Sequence, residues 1–528
     1  VHLLTWLVPL LVVTSLTRAQ APGGDTTVLP IADPALATLI VARVGPAAIT
    51  AREFLLSYEF GPAFVKRQHD AKRRHLEFMI NEKLLALSAA DRGGRSSPEV
   101  RRSVREIVGD LATEELYRDD VLSKVRLGEE EIREAVAGQG IHFTIRWLYG
   151  STREGIDHYR RLLSSGMGFD SLFTLSLGDS ITADLRSWET DRFRLKRLRP
   201  SIAAVVDTLR PHVASAPLEG PDGWYIVSLI DVNIDAIMTE SEGVKRREDA
   251  RRALTQQKAD SLSDLYINRI MLEHAPVIEP RTFDLLGAYL GQFWLSESKR
   301  ATMVGGLSVG RETALTAMTD IGQFGKEPLV RMKDRAVTLG RFLSWYRARE
   351  FVLRLRASSV QAYRVSLQQM VWRMVRDGLL IERAKKRHLE ERASVRTQKQ
   401  WWEDKVLYAL EKRRITDSVA VDDAKLLRYF REHQKSYRDS TGLSLSFAAA
   451  KERVRQDFTE RETTNRLLHR VLALRRKYPV QIVADVLRNL PVENENDPKA
   501  IDVYVAKKNG TFPHPAFPTI DVDWQGWQ

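Results

Sequence analysis

VARVGPAAITAREFLLSY, Val41 to Tyr58, decides how this chain is read, because it returns as LVRMKDRAVTLGRFLSWY from Leu329 to Tyr346. At an offset of 288 residues Arg43 meets Arg331, Ala48 meets Ala336 and Thr50 meets Thr338. Phe54 likewise meets Phe342, Leu55 meets Leu343 and Tyr58 meets Tyr346. Both copies predict one local structure: a short apolar strand, a Gly-Pro or Lys-Asp turn, a second short strand ending in Thr, then a helix. The Thr sits at the N-cap position, where its hydroxyl accepts a first-turn amide that no helical carbonyl reaches. Phe, Leu and Tyr then recur at spacings that place them on one helix face.

Working outward, the likeness continues. Leu84-Leu85 stand before Ala89 as Leu379-Leu380 stand before Ala384, now at an offset of 295, and LGEEEI (127–132) answers VDDAKL (421–426) at about the same offset. His69 to Leu87 puts Leu76, Met79, Ile80, Leu84 and Leu87 on one stripe, and Val104, Ile107, Val108 and Leu111 do the same after Pro98. The clearest helix is in the second copy, through Leu367, Met370, Val371, Met374, Val375 and Leu379. Each copy closes on a long helix, a Pro and a short strand: HAPVIEP (274–280) in one, KYPVQIV (477–483) in the other. Solenoid repeats run to roughly 20–50 residues, so a period this long indicates a duplicated domain. Each closing strand is expected to return and pair with the opening strands.

One region has no counterpart. From Ile141 to Val232 the chain alternates strand-like and helical pieces: FTIRWLYG (143–150), a helix from Arg153 to Ser165 stopped by Gly166 and Gly168, and the closing GPDGWYIVSLIDV (220–232). The predicted organisation is a signal peptide (1–21), a flexible lead-in (22–40), the first part of module 1 (41–140), an α/β insert (141–232) and the closing helix and strand of module 1 (233–295). A linker (296–324), module 2 without an insert (325–490) and an irregular tail (491–528) complete it. That tail carries Pro513, Pro515 and Pro518 beside Phe512, Phe517, Trp524 and Trp527.

Composition narrows the function. Leu3 to Leu16 is an apolar run too short to span a bilayer, and Ala19-Gln20-Ala21 offers the small residues a signal peptidase cleaves after, although no Lys or Arg precedes the run. The expectation is export without stable membrane insertion. The 528 residues contain no Cys, which excludes disulfides, thiolate catalysis and Cys-ligated zinc. Lys and Arg exceed Asp and Glu, giving +12, but the charges are interspersed, as in KRQHDAKRR (66–74) and ERAKKRHLEER (382–392). Such runs read as solvated helix faces rather than a nucleic-acid surface. No HExxH, Walker-type loop or GxSxG elbow is present, and GGLSVG (305–310) runs into Arg311-Glu312 instead of Lys-Ser/Thr. No cofactor or metal is expected.

This order of parts resembles the exported parvulin-type foldases, with the SurA-like periplasmic chaperones as the type. The resemblance implies an α+β protein: mainly helical, duplicated chaperone modules with one parvulin-like α/β domain inserted at 141–232. The family's first-strand His-Ile-Leu motif falls on Arg146-Trp147-Leu148, so Trp147 stands at the His. Its closing Gly-Tyr-His-Ile falls on Gly223-Trp224-Tyr225-Ile226, so Tyr225 replaces the second His. Ser176 to Asp179, followed by Ala183-Asp184-Leu185-Arg186, matches the segment between, without its glycines, and leaves Asp179 as the surviving polar catalytic position. The implied function is a chaperone for unfolded or nascent exported polypeptides, outer-membrane proteins among them, in the periplasm, with a peptide-binding surface at Trp147, Trp188, Trp224 and Tyr225 and an isomerase site that has lost its histidines. An active prolyl isomerase working through Asp179, and a basic scaffold or nucleic-acid-binding protein, stand as alternatives.

Overall fold

The computed structural model describes residues 34–177, 182–220, 222–235, 238–350, 353–439, 442–492 and 514–526. These are mainly helical, with three small antiparallel sheets, an α+β arrangement. They divide into two compact units, one of residues 120–266 and one joining the chain before 120 to the chain after 266.

The larger unit opens on the hairpin of β1 (Ile40–Val44) and β2 (Ala47–Thr50). Gly45 turns it at φ +54°, and a Cβ there would lie 2.7 Å from the Tyr478 ring, so both conformation and space require glycine. Thr50 Oγ1 accepts from the amide of Glu53 at 3.2 Å and starts the helix Ala51–Glu59. That helix buries Phe54, Leu55 and Tyr58.

In the smaller unit four strands form one sheet: β3 (Ile141–Gly150), β4 (Ser187–Asp191), β5 (Leu218–Gly220) and β6 (Gly223–Ile234), in the order β4-β3-β6-β5. Alternation along β3 and β6 gives the sheet two buried faces. Phe143, Ile145, Val227 and Leu229 pack with Leu195, Ala203 and Val206 on one side. Leu148 and Ile226 pack with Ile156, Phe169, Leu172 and Phe173 on the other.

The remaining strands correct one expectation. The second hairpin, β8 (Pro328–Arg331) with β9 (Ala336–Thr338), is built like the first, and Thr338 Oγ1 accepts from Arg341 N at 3.3 Å. However, the strand that closes module 1, β7 (Val277–Ile278), pairs with β8 of module 2, and β10 (Val480–Ile482), which closes module 2, pairs with β1 of module 1. Matching bonds seal both joints: Val483 N donates to Val41 O at 2.8 Å, and Glu279 N to Leu329 O at 2.9 Å. Either pairing satisfies the same number of backbone groups, so the repeat pattern carries no information about which copy supplies the third strand.

Helices are exchanged as well. Ala71–Asp91 of module 1 lies against Ala393–Asp417 of module 2, joined by Lys405–Glu82 at 2.6 Å and Lys83–Asp404 at 2.9 Å. In the mirror-image contact, Ile381 of the helix Val360–Lys386 faces Gly109 of the helix Pro98–Asp120, where an added Cβ would lie 3.3 Å from Ile381.

Two further expectations change. Residues 296–324, expected as a linker, contain the helices Glu297–Gly305 and Arg311–Thr319, which bury Met303, Ala314 and Ala317. Within that segment the GGLSVG loop is held by Asp284 Oδ2, which accepts from Ser308 N at 2.8 Å and Ser308 Oγ at 2.5 Å. The tail, expected to pack on the surface or stay mobile, sends residues 514–526 into the core of the larger unit, where Trp524 is 1% exposed.

Candidate functional site

Trp147 lies in β3 opposite Val227, Trp188 in β4 opposite Ile145, and Tyr225 in β6 opposite Tyr149. All three are half-buried and share the sheet face that packs on Leu195, Ala203 and Val206. Trp224 does not join them. As the strand neighbour of Tyr225 it points to the other face, beside Leu148 and Ile226, with the Arg153 guanidinium 4.4 Å above its ring. The four aromatics expected to form one peptide-binding surface are therefore divided, three and one, by the two-residue period of a strand. Arg194 covers Trp188 from 5.8 Å.

The polar chemistry of that face centres on Asp222. Tyr225 Oη donates to Asp222 Oδ1 at 2.5 Å, Tyr149 Oη donates to the Asp222 carbonyl at 2.7 Å, and the two rings lie 5.5 Å apart. Burial, helped by the bond to Asp222, pushes the Tyr225 phenol up to about 12, so it is a protonated donor at neutral pH with its proton committed to Asp222. Asp179 lies outside the described residues. Before it, Arg186 Nη1 donates to Ser176 Oγ at 3.0 Å and to the Ser176 carbonyl at 3.2 Å, a cation placed at the end of the helix Phe169–Leu177. Among the described residues no cluster of His, Asp or Glu has the arrangement of a metal site.

Sequence reasoning missed a second constellation, in the larger unit. There the chain holds its own tail, irregular over 514–521 and ending in the 3-10 turn Val522–Gly526, between the helices Ala71–Asp91 and Ala393–Asp417. The Trp524 indole stacks between Phe78, with centroids 5.6 Å apart, and Tyr408, at 6.3 Å. Its Nε1 donates to Glu82 Oε1 at 2.9 Å, and the amide of Asp521 donates to the same oxygen at 2.6 Å. Lys405 holds Glu82 Oε2 at 2.6 Å. Burial pushes the Glu82 carboxyl up despite Lys405.

Asp521 in turn accepts from Lys412 at 2.7 Å and from Tyr408 Oη at 3.0 Å. Farther along, Phe517 meets Phe60 at 5.2 Å, and His514 Nε2 lies 2.9 Å from Asp110 Oδ2, both side chains buried. Beneath, His75 is 3.0 Å from Ser57 Oγ; burial and the nearby Lys66 and Lys405 lower it to about 3, so it stays neutral. The signal in the sequence was the tail's run of Pro and aromatic residues. Nothing in that run names the helices it meets.

No protein-family model matches the chain, and no curated protein does. Among solved structures, the crystal structure of PrsA from Bacillus subtilis is similar to it at 11% identity and a TM-score of 0.16, over 43% of this chain and 91% of that one. A TM-score that low establishes neither a shared fold nor a shared activity.

Proposed function

We propose that this chain is an exported folding factor that holds extended segments of unfolded polypeptide, without nucleotide, and that its insert is a parvulin-like domain with little isomerase chemistry left. The observation that carries the reading is the tail: the larger unit already binds a Pro- and aromatic-bearing segment, irregular over 514–521 and a single 3-10 turn at Val522–Gly526, through stacked rings and backbone and indole N–H donors. A surface that does this for its own chain has the chemistry to do it for another. Its clients would be exported polypeptides, outer-membrane proteins among them, met in the periplasm.

The loss of isomerase chemistry follows from donor and acceptor roles. Rotation about a prolyl amide must overcome amide resonance, with a barrier of roughly 18–20 kcal/mol for the peptide bond. Two imidazoles exchange donor and acceptor roles as the amide twists, whereas the indole of Trp147 only donates and the phenol of Tyr225 is already bonded to Asp222. Proline exchange in short peptides carrying every residue type before Pro tests this, alongside aggregation of a chemically unfolded client. Suppressed aggregation at near-equimolar chain, with exchange at background rate, is expected. Accelerated exchange that is lost in Asp179→Ala would make the insert an active isomerase. Aggregation that proceeds unchanged would sink the chaperone reading.

A further inference from the structure

The duplication places two matching grooves in the larger unit. The first, which the tail crosses, is lined by Glu53, Ser57, Met79, Glu82 and Lys83, with Trp401 from the helix Ala393–Asp417. The second is lined by Arg341, Trp345, Met374, Asp377 and Gly378, with Glu106 from the helix Pro98–Asp120. These are the same positions. The offset of 288 carries Glu53 to Arg341 and Ser57 to Trp345, and the offset of 295 carries Met79 to Met374, Glu82 to Asp377, Lys83 to Gly378 and Glu106 to Trp401.

What fills them differs. Lys83 plugs the first groove, bonded to Glu53 at 2.8 Å and Asp404 at 2.9 Å, and the space left is about 40 Å³. Its counterpart, Gly378, has no side chain, and a Cβ built there meets nothing within 4 Å. The second groove keeps a cavity of about 160 Å³, and roughly 150 Å³ accommodates a benzene ring. Its hydrogen bonding is incomplete as well. Glu82 has partners on both oxygens, two of them supplied by the tail, whereas Asp377 at the matching position is bound on Oδ1 by Arg376 and has no partner on Oδ2. Trp345 Nε1, in the same wall, is also buried without a partner. At the rim Arg341 forms no ion pair among the described residues.

We infer that the second groove is a docking site for a short turn of a partner polypeptide that carries an aromatic side chain beside a carboxylate, as the single 3-10 turn begun at Asp521 presents Trp524 to Glu82 of the first. The aromatic side chain enters the space that Lys83 fills in the first groove, an N–H of the segment meets Asp377, and its carboxylate meets Arg341. This rests on the reading that the chain binds unfolded polypeptide, and adds the place and the chemistry selected.

The test titrates the full chain into a labelled peptide with the sequence of residues 514–525, read by fluorescence anisotropy. Saturable binding is expected, weakened at least tenfold by Gly378→Leu, which fills the cavity and suits a helix better than glycine. Asp377→Asn should weaken it several-fold without changing the fold, as should peptides with Asn at both Asp positions. Binding that survives Gly378→Leu and Asp377→Asn unchanged overturns the inference by placing the peptide elsewhere. A dimer that disappears in both Gly378→Leu and Trp524→Ala also overturns it, by assigning the groove to the tail of a second copy. A chain that suppresses client aggregation yet binds no peptide here defeats this inference alone; a chain that does neither defeats the proposed function as well.

Discussion

The two grooves lie at matching positions of one repeated sequence pattern, and their difference separates what the repeat keeps from what it changes. Both copies retain the capping Thr, the Phe and Tyr stripe of the following helix and the third strand borrowed from the other copy. These set backbone geometry, and changing one costs stability wherever it occurs. The lining diverged freely. One copy places a lysine between two carboxylates and closes over the chain's own tail, and the other places glycine and an incompletely bonded aspartate. The contrast teaches that the first groove is a completed structural joint, and the second keeps the same walls with room inside.

The largest expected effect breaks the filled groove. Trp524→Ala removes a fully buried indole stacked between two rings and should cost about 3–5 kcal/mol of stability in urea unfolding. A loss under about 1 kcal/mol would mean that the tail is an accessory to the first groove and that the contrast with the second is false.

A matched pair of substitutions comes next. Glu82→Gln strips the partner from the buried ammonium of Lys405 and should cost about 3–5 kcal/mol. At about pH 4, Asp377→Asn at the corresponding position should be close to neutral, because burial pushes that carboxyl up to about 6 against the pull of Arg376, Arg349 and Arg373 and so keeps it protonated there. Glu106 faces the same cavity, as do Arg335 and Glu382, which pair with each other. The sign follows from the raised value. Between the ordinary carboxylate range near 3.8 and about 6 the folded chain holds a proton that the unfolded chain has lost, so stability falls as pH rises through that window. The difference between wild type and Asp377→Asn should therefore change by on the order of 1–3 kcal/mol from pH 4 to pH 7 and stay level above it. Equal costs at Glu82 and Asp377 would show that the two grooves are not energetically distinct.

The smallest effect should be shared. Thr50→Ala and Thr338→Ala each lose one cap bond, at 3.2 and 3.3 Å, and each should cost about 1 kcal/mol. A cap that matters in one copy only would show that the two openings no longer serve the same purpose.

Much of this architecture was legible in particular residues. Thr50 and Thr338 announced the helix starts, Pro98 opens its helix as its first-turn preference implies, and the stripe Leu367–Met370–Val371–Met374 is buried. The strand period also contained the division of the site, since Trp224 and Tyr225 are adjacent and adjacent strand residues face opposite ways. Other features left no such trace. Whether Val277 pairs with Arg331 or with its own module's hairpin is a choice between equal hydrogen-bond ladders, and only the path of the folded chain makes it. The burial of Trp524 against Phe78 and Tyr408 likewise joins residues with no local relation.

The sequence by itself determined the element types, the caps and the apolar stripes, because each depends on spacing within a few turns of backbone. Tertiary structure alone decided the exchange of strands and helices between the copies, the seating of the tail and the hollow left at Gly378. The reason is physical: local periodicity records which face of an element is apolar, and it is silent about which other apolar face will cover it.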